Sequence, residues 1–370
     1  MKIPMSLPFF DGNEKKLINE VIDSKWVSRG EKLARFEADF RNLMGMKYAL
    51  AVSNGTAALH LAMLGLNIGN GDEVITTPFS FVSSANAALF VGAKPVFVDI
   101  DERMMNIDTS RISDAINDKT KAILPVHVFG QPCDMDSIMK IADGNDMMVI
   151  EDAAEALGSE YKGRKVGTFG KVSTFSFMAN KQFTTGEGGM LTMNDESVFN
   201  LCWSLKNLGK VEHGGRFVHD MLGYNYHINE ISCAMGIAQL AKFDFVMQKR
   251  QQLFDEYTKR LKNVDGVILP HVDNNNKYSW LFYVIRLKDG IDRNDVSESL
   301  KEFGIDNRAY FSPPIHLEKL YKERFNYKEG DFPVTEKVSK TNIALPFFPD
   351  LKMNELEFVV EKLESAIQSA

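Results

Sequence analysis

Residues 172–190 read VSTFSFMANKQFTTGEGGM, and no other stretch says more about the fold and chemistry of this chain. The run Val172–Ser176 predicts a strand, and Lys181 follows five residues after its end. The glycines at 186, 188 and 189 allow the backbone to approach another group closely. A lysine held in an aromatic, partly apolar pocket can lose its proton and form a Schiff base. The alternative is a surface lysine before a flexible turn.

Short apolar runs alternate with helical stretches around this segment, from about residue 46 to residue 190. The further predicted strands are Tyr48–Val52, Glu73–Thr76, Pro95–Val98, Ala122–His127, Met147–Glu151 and Met190–Thr192. The helices predicted between them include Thr56–Leu64, Ser83–Val91 and Met135–Ala142. Strands that alternate with helices are typical of an α/β layer with a mainly parallel sheet. Such sheets bind ligands where the carboxyl ends of their strands meet.

The sequence pattern changes after Gly223, and a smaller second domain is predicted toward the C-terminus. The elements predicted there are one long helix from Ile228 to about Arg260, a strand over Trp280–Arg286 and a last helix over Asn354–Gln368. We therefore expect a large domain over residues 1–245 and a smaller C-terminal α+β domain over residues 246–370. The first thirty residues are expected to pack on the other domain or on a partner subunit.

Composition and charge narrow the class of protein. The formal net charge of -7 provides no basic surface of the kind that nucleic acid requires. Cys133, Cys202 and Cys233 cannot all pair and lack the spacing of metal ligands, so we expect reduced thiols and no metal site. No window approaches the roughly 18 apolar residues of a membrane span, and the first residues lack an apolar segment of signal-peptide length. We expect a cytoplasmic protein without a membrane or nucleic-acid partner.

Two further segments place polar groups at predicted strand ends. SNGTAAL, residues 53–59, leads from a strand into a helix whose free N–H groups and dipole suit a phosphate. MMVIEDAAE, residues 147–155, ends a strand in carboxylates, and a carboxylate beneath a pyridine nitrogen keeps that nitrogen protonated. A plain helix cap is the alternative for each segment. The phosphate loop, the acid, the hydroxyl and the lysine nevertheless fall in succession on the ends of one sheet.

This arrangement resembles the fold-type I pyridoxal-phosphate (PLP) enzymes and, more narrowly, the sugar aminotransferase family named after DegT, DnrJ and StrS. The matching segments are SNGTAALHLAM (53–63), VITTPFSFVSSANA (74–87), EDAAEALGS (151–159), VGTFGKVSTFSFMANKQFTTGEGGM (166–190) and HDMLGYNYHINEISCAMGIAQL (219–240). The resemblance extends from about Trp26 to the last helix. It implies an α/β transferase of fold type I whose cofactor is PLP.

The resemblance also implies the roles of individual residues. Lys181 would form the Schiff base with PLP and move protons, and Asp152 would pair with the ring nitrogen. The other implied cofactor contacts are Gly55, Thr56, Ala57 and Ser176 at the phosphate, Phe81 on the ring face, and Glu155, where the family usually has Gln, near the ring hydroxyl. Asn225 would reach the cofactor phosphate of a neighbouring subunit, which implies a homodimer with active sites at the interface. The alternatives are that Phe81 is plain core and Asn225 only a turn residue.

The resemblance implies L-glutamate as amino donor and a nucleotide-linked 4-keto-6-deoxy sugar as acceptor. The quoted segments are most similar to the members that aminate GDP-4-keto-6-deoxy-D-mannose at C4 for surface polysaccharide (O-antigen) synthesis. A UDP- or dTDP-linked sugar, or a 3-keto sugar, remains open, because Met178-Ala179 and His227 depart from the usual pattern. The candidate substrate contacts are Trp26, Arg29, His127, Arg308, Tyr310 and His316.

Three rival interpretations are less well supported by the residues. A PLP-dependent sugar dehydratase related to this family has His at the position of Lys181. A non-catalytic regulator on the same fold would be expected to show a DNA-binding segment, and the acidic charge disfavours one. A dinucleotide-binding enzyme is disfavoured because Gly163, Gly167 and Gly170 precede a predicted strand instead of following one.

Overall fold

The structure, a computed structural model, describes residues 2–370. Its strands are β1 (Tyr48–Val52), β2 (Glu73–Thr76), β3 (Lys94–Phe97), β4 (Thr120–Ile123), β5 (Met148–Asp152), β6 (Glu160–Tyr161), β7 (Arg164–Lys165), β8 (Val172–Ser176), β9 (Gly189–Met193), β10 (Lys210–His213), β11 (Arg216–His219), β12 (Val267–Ile268), β13 (Tyr283–Leu287) and β14 (Asn342–Leu345). Its α-helices are α1 (Asn13–Ser24), α2 (Glu31–Met44), α3 (Gly55–Gly65), α4 (Ser83–Phe90), α5 (Met135–Gly144), α6 (Glu196–Lys206), α7 (Glu230–Leu240), α8 (Phe243–Leu261), α9 (Arg293–Glu302), α10 (Lys319–Phe325), α11 (Pro333–Thr341) and α12 (Met353–Ser369). Short 3₁₀ helices cover Thr109–Ala115, Val128–Gly130 and Ile315–Leu317.

The central sheet contains seven strands in the order β1-β9-β8-β5-β4-β2-β3. β9 runs antiparallel to both of its neighbours, and the other neighbouring strands run parallel. β1 and β9 are buried on both faces, which explains their nearly continuous apolar sequences, YALAV and GMLTM. The predicted α/β fold with a mainly parallel sheet is confirmed, and every predicted strand before residue 193 belongs to this sheet.

Two predicted strands differ from the structure by more than one residue at an end, whereas the other predicted strands agree within one residue. β4 ends at Ile123, short of the predicted His127, and the chain beyond makes only an isolated bridge between Val126 and Asp152. Pro125 lies in this stretch and has no N–H to donate to a neighbouring strand. β13 begins at Tyr283, later than the predicted Trp280, because Trp280 has a left-handed φ of 43° that a strand does not contain.

The single long helix predicted from Ile228 to about Arg260 is wrong. Two helices, α7 and α8, take its place and are separated at Ala241 and Lys242. α7 packs against α1 and α2, whereas α8 buries its apolar side chains in a cluster with β13, β14 and α12. The helix is interrupted between these two packing surfaces. Apolar periodicity within the sequence reports burial but not such an interruption.

The C-terminal part of the chain has its own apolar cluster and its own small sheet. β12, β13 and β14 pair antiparallel, and α8, α9 and α12 contribute to the same cluster. Leu281, Phe282 and Val284 nevertheless belong to the core beneath the large sheet, so the two parts share apolar contacts. The last helix lies within one residue of its predicted bounds at each end. The domain boundary near residue 245 stays a prediction.

The N-terminal segment contacts both parts of its own chain. α1 packs on α7 of the large part. Ile3 donates its N–H to Gly304 at 2.9 Å and accepts the N–H of Asp306 at 2.9 Å, so it pairs with the C-terminal part. Within residues 2–370, no helix combines the length and the apolar character needed to cross a membrane.

Candidate active site

A cavity of about 450 Å³ opens at the carboxyl ends of β5 and β8. Its walls come from the loop between β1 and α3, the residues that begin α4, the residues after β5 and β8, and the segment Arg308–Pro313. This is the position at which parallel α/β sheets bind their ligands. Among residues 2–370, no group of three or more His, Cys, Asp and Glu side chains is arranged to hold a metal ion.

One corner of the cavity is built to receive an anion. Gly55 and Thr56, at the start of α3, line this corner together with Ser176 from the end of β8. A Cβ on Gly55 would lie only 2.9 Å from the Cβ of Ser176, so a larger residue would close the corner. Ala57 does not line the cavity, and its N–H donates to the capping Asn54 at 2.8 Å. Free N–H groups and the helix dipole favour a phosphate at this corner.

The carboxylate of Asp152 is buried at the base of the cavity. Its Oδ2 accepts the hydroxyl of Ser84 at 2.8 Å, and its Oδ1 accepts the N–H of Ala154 at 3.1 Å. Burial raises the pKa of Asp152, while these hydrogen bonds and the charge of Lys181 oppose the rise. No role for Ser84 was predicted from the sequence. Its only indication there was the group of three serines in SFVSS, residues 80–84.

The amine of Lys181 faces into the same cavity. Its Nζ lies 3.4 Å from Oε1 of Glu155, and the two side chains are only 10% and 11% exposed. The other oxygen of Glu155 accepts the N–H of Phe129 at 2.9 Å, which holds this carboxylate in place. The lysine, Glu155 and Asp152 therefore line one cavity.

The outer wall of the cavity is aromatic and basic. Phe81 lines the cavity with 64% of its surface exposed, which is unlike a plain core residue. Arg308 and Tyr310 line the opposite side. Burial raises the pKa of Tyr310, and the charge of Glu155 adds to the rise. The ring of Tyr310 stacks on Phe282 at 4.4 Å.

Two predicted substrate contacts do not reach the cavity. His127 is fully buried, with Nε2 3.3 Å from Glu151 and Nδ1 accepting the N–H of Cys133 at 3.0 Å. His316 is also fully buried, with Nε2 3.0 Å from Glu336. In each case it is the preceding residue, not the histidine, that lines the cavity. Both ring nitrogens of His127 have partners, whereas Nδ1 of His316 is buried without a hydrogen-bond partner.

Three other predicted residues lie on the surface, outside the cavity of the single chain. Arg29 donates to the side chain of Asn207 at 3.0 Å, and Trp26 donates to the carbonyl of Arg29 at 2.7 Å. Asn225 is exposed and forms an isolated backbone bridge with Asn207. The structure thus brings Trp26, Arg29 and Asn225 to one surface region, apart from Lys181.

The residues of the cavity fit the groups of pyridoxal 5'-phosphate. The corner at Gly55 and Ser176 suits its phosphate, the buried Asp152 suits a protonated ring nitrogen, and the amine of Lys181 suits its aldehyde. The fold and this set of groups define a fold-type I PLP enzyme.

Comparison with known proteins identifies the family. The sequence model of the DegT/DnrJ/EryC1/StrS aminotransferase family matches residues 9–364, and the chain therefore belongs to this family. It is 38% identical to the GDP-perosamine synthase of Escherichia coli O157:H7, over 98% of this chain and 97% of that protein.

Solved structures agree with this assignment. The chain superposes with a TM-score of 0.95 on Helicobacter pylori PseC, an aminotransferase involved in the biosynthesis of pseudoaminic acid, at 30% identity over 100% of both chains. It superposes with a TM-score of 0.94 on the PLP form of a putative sugar aminotransferase, Spr1654, from Streptococcus pneumoniae, at 26% identity over 100% of this chain and 99% of that one. The chain is a PLP-dependent sugar aminotransferase.

Proposed function

We propose that this aminotransferase moves the amino group of L-glutamate to C4 of GDP-4-keto-6-deoxy-D-mannose and so forms GDP-perosamine for a surface polysaccharide such as O-antigen. The observation that carries the proposal is the similarity to GDP-perosamine synthases, at 36–38% identity, along nearly the whole chain. As in the sequence analysis, a cytoplasmic location remains a prediction.

The positions of the cavity residues support the following roles. When bound, PLP supplies an aldehyde that accepts the amino group and a ring that withdraws electrons from the reacting carbon. Gly55, Thr56 and Ser176 would hold the phosphate, and the Asp152 carboxylate would keep the ring nitrogen protonated. The Nζ of Lys181 would take up and return a proton at the α-carbon of the donor.

Glu155 holds the lysine between proton transfers. Its Oε1 is 3.4 Å from Nζ of Lys181, and its Oε2 is tied to the backbone of Phe129, so the carboxylate keeps the amine directed into the cavity. Phe81, at the mouth of the cavity, would cover the face of the cofactor ring. Donor and acceptor use the same cavity in turn, so ping-pong kinetics are expected.

The proposed enzyme is a homodimer in which Asn225 of one subunit completes the site of the other. The surface around Asn225 exposes large apolar side chains, including Leu222 at 84% and Trp26 at 65% of their area. Apolar patches of this kind mark interaction sites. His60 lies buried beneath this surface against the ring of Tyr226, and its Nε2 has no hydrogen-bond partner in the single chain.

A subunit-mixing experiment tests the shared site. Lys181→Ala and Asn225→Ala are each expected to be inactive as pure dimers. Mixed dimers contain one site with both residues intact, so exchange of subunits should restore about one quarter of the unaltered activity, because half of the dimers are mixed. Activity that stays at background after exchange, shown by differently tagged subunits, contradicts a shared site.

The substrate is tested with L-glutamate and a panel of GDP-, UDP- and dTDP-linked 4-keto-6-deoxy sugars and a 3-keto sugar. Mass spectrometry of the nucleotide sugars and an assay of 2-oxoglutarate are the readouts. Amination of GDP-4-keto-6-deoxy-D-mannose with the highest kcat/KM supports the proposal. A preference for a UDP- or dTDP-linked sugar would reject GDP-perosamine as the product while retaining the transamination.

A further inference from the structure

The segment Arg308–Pro313, here called the strap, forms one wall of the cavity. It faces the residues that begin α4 and the segment that carries Lys181. Apart from Ile315 and Glu318, the strap is the whole contribution of the C-terminal part of the chain to the cavity lining. Its position therefore decides how much space lies above Asp152 and Lys181.

The strap is attached to β14 first by backbone hydrogen bonds and then, further along, by the side chain of Asn342. Arg308 and Ala344 exchange backbone hydrogen bonds of 3.3 and 2.8 Å. Two residues further on, the N–H of Tyr310 donates to Oδ1 of Asn342 at 2.9 Å, and the carbonyl of Tyr310 accepts from Nδ2 of Asn342 at 3.0 Å. The carbonyl of Phe311 accepts the hydroxyl of Ser339 at 2.7 Å.

The helix behind the strap is anchored on the large sheet. Ser339 lies in the last turn of α11, and Asn342 directly follows this helix. At the other end of α11, the carboxylate of Asp99 accepts the N–H groups of Val334 and Thr335 at 3.0 and 2.8 Å. Asp99 is buried two residues after the end of β3, in the sheet that also carries Asp152. Hydrogen bonds at the two ends of α11 therefore connect the strap to the large sheet.

We propose that Asn342 is a positioning residue for the acceptor sugar, a role that rests on the proposed function. Its amide sets the depth of Tyr310 and Phe311 in the cavity and so the shape of the keto sugar that fits. An amide is required because Oδ1 accepts from Tyr310, while Nδ2 donates to the carbonyls of Tyr310 and Val338 at 3.0 and 2.9 Å. The carbonyl of Ser339 lies further away, at 3.4 Å from Nδ2. Asn342 is fully buried, so water cannot replace these bonds.

The test compares Asn342→Ala and Ser339→Ala with Thr341→Ala. Thr341 lies on the same helical turn, and its hydroxyl bonds only to carbonyls of its own helix, so it serves as the matched control. For each variant we would measure KM for the keto sugar, affinity for the aminated nucleotide sugar by calorimetry, and the rate at which saturating glutamate converts the bound cofactor. The glutamate step shows whether the catalytic groups remain intact.

Asn342→Ala should raise KM for the keto sugar and weaken product binding by about tenfold, equivalent to roughly 1.4 kcal/mol. The glutamate step should stay within about twofold, and Thr341→Ala should match the unaltered chain. Ser339→Ala removes one hydrogen bond to the strap and should raise KM for the keto sugar by a smaller factor. This variant replaces Asn342→Ala in the test if Asn342→Ala does not fold. An unchanged KM, or a parallel loss of the glutamate step, overturns the inference. If the unaltered chain aminates no nucleotide sugar, the proposed function is what fails.

Discussion

Replacing Ser84 with alanine removes the hydroxyl that donates to Oδ2 of Asp152 at 2.8 Å. The carboxylate is buried, and a hydrogen bond to a charged group contributes about 1.5–3 kcal/mol. The bond favours the ionised form, so its loss shifts the balance between ionised and protonated Asp152 by roughly 10- to 150-fold toward the protonated form. Burial already raises the pKa of Asp152, so the substitution acts on a group that is poised to take up a proton.

The assay is kcat/KM as a function of pH. The acid limb of the Ser84→Ala profile should move to higher pH, with rates on that limb reduced by the same factor and the alkaline plateau close to that of the unaltered enzyme. Ser80→Ala provides a graded comparison, because its hydroxyl contacts Ser84 at 2.8 Å and reaches Asp152 only through it. It should move the limb less. A Ser84→Ala profile that superimposes on the original, or one that falls equally at every pH, refutes the reasoning.

Three further predictions concern the lysine, a partly buried histidine and a helix cap. Lys181→Ala should abolish turnover with an unchanged melting temperature, and turnover of this variant near the original rate would reject the assignment. In the unaltered chain, borohydride should attach PLP to Lys181. Burial and the nearby charges of Arg29 and Lys206 lower the pKa of His227 from 6.5 to about 4. Between these two pH values the unfolded chain binds a proton at His227 and the folded chain does not. The free energy of unfolding should therefore fall as the pH drops from 6.5 to about 4. His227→Gln should flatten this decline in urea unfolding measurements, and an identical decline would exclude His227 as its source. Glu230 accepts three backbone N–H groups before and within the first turn of α2. Glu230→Ala should therefore lower the free energy of unfolding by roughly 3–5 kcal/mol. A loss below about 1 kcal/mol would show that other groups replace the cap.

The cofactor groups could be found from the sequence because each lies within a few residues of a strand end. Asp152 closes β5, Ser176 closes β8 and Gly55 follows β1, and parallel strands bring such ends together. Ser84 could not be assigned in this way. Its partner Asp152 is 68 residues away, and a serine at the start of a helix is usually no more than a local cap.

The substrate contacts were harder to predict because residue type does not report the direction of a side chain. Val126 lines the cavity, but His127 points into the core, since successive side chains of an extended chain face opposite sides. Trp26 and Arg29 lie on a surface away from the cavity of their own chain. Whether they contact substrate depends on a second subunit, which the sequence of one chain does not position.

The alternation of strands with helices follows from sequence alone, because local periodicity records which residues are buried. The order of the chemical groups is read directly along the chain, and the family is indicated by the segments that resemble it. The break between α7 and α8, the bond from Ser84 to Asp152 and the attachment of Tyr310 to Asn342 exist only in the folded chain. Each depends on the direction in which one element packs on another that is distant in sequence. That direction is determined by the packing of the whole core, so a short segment of sequence does not predict it.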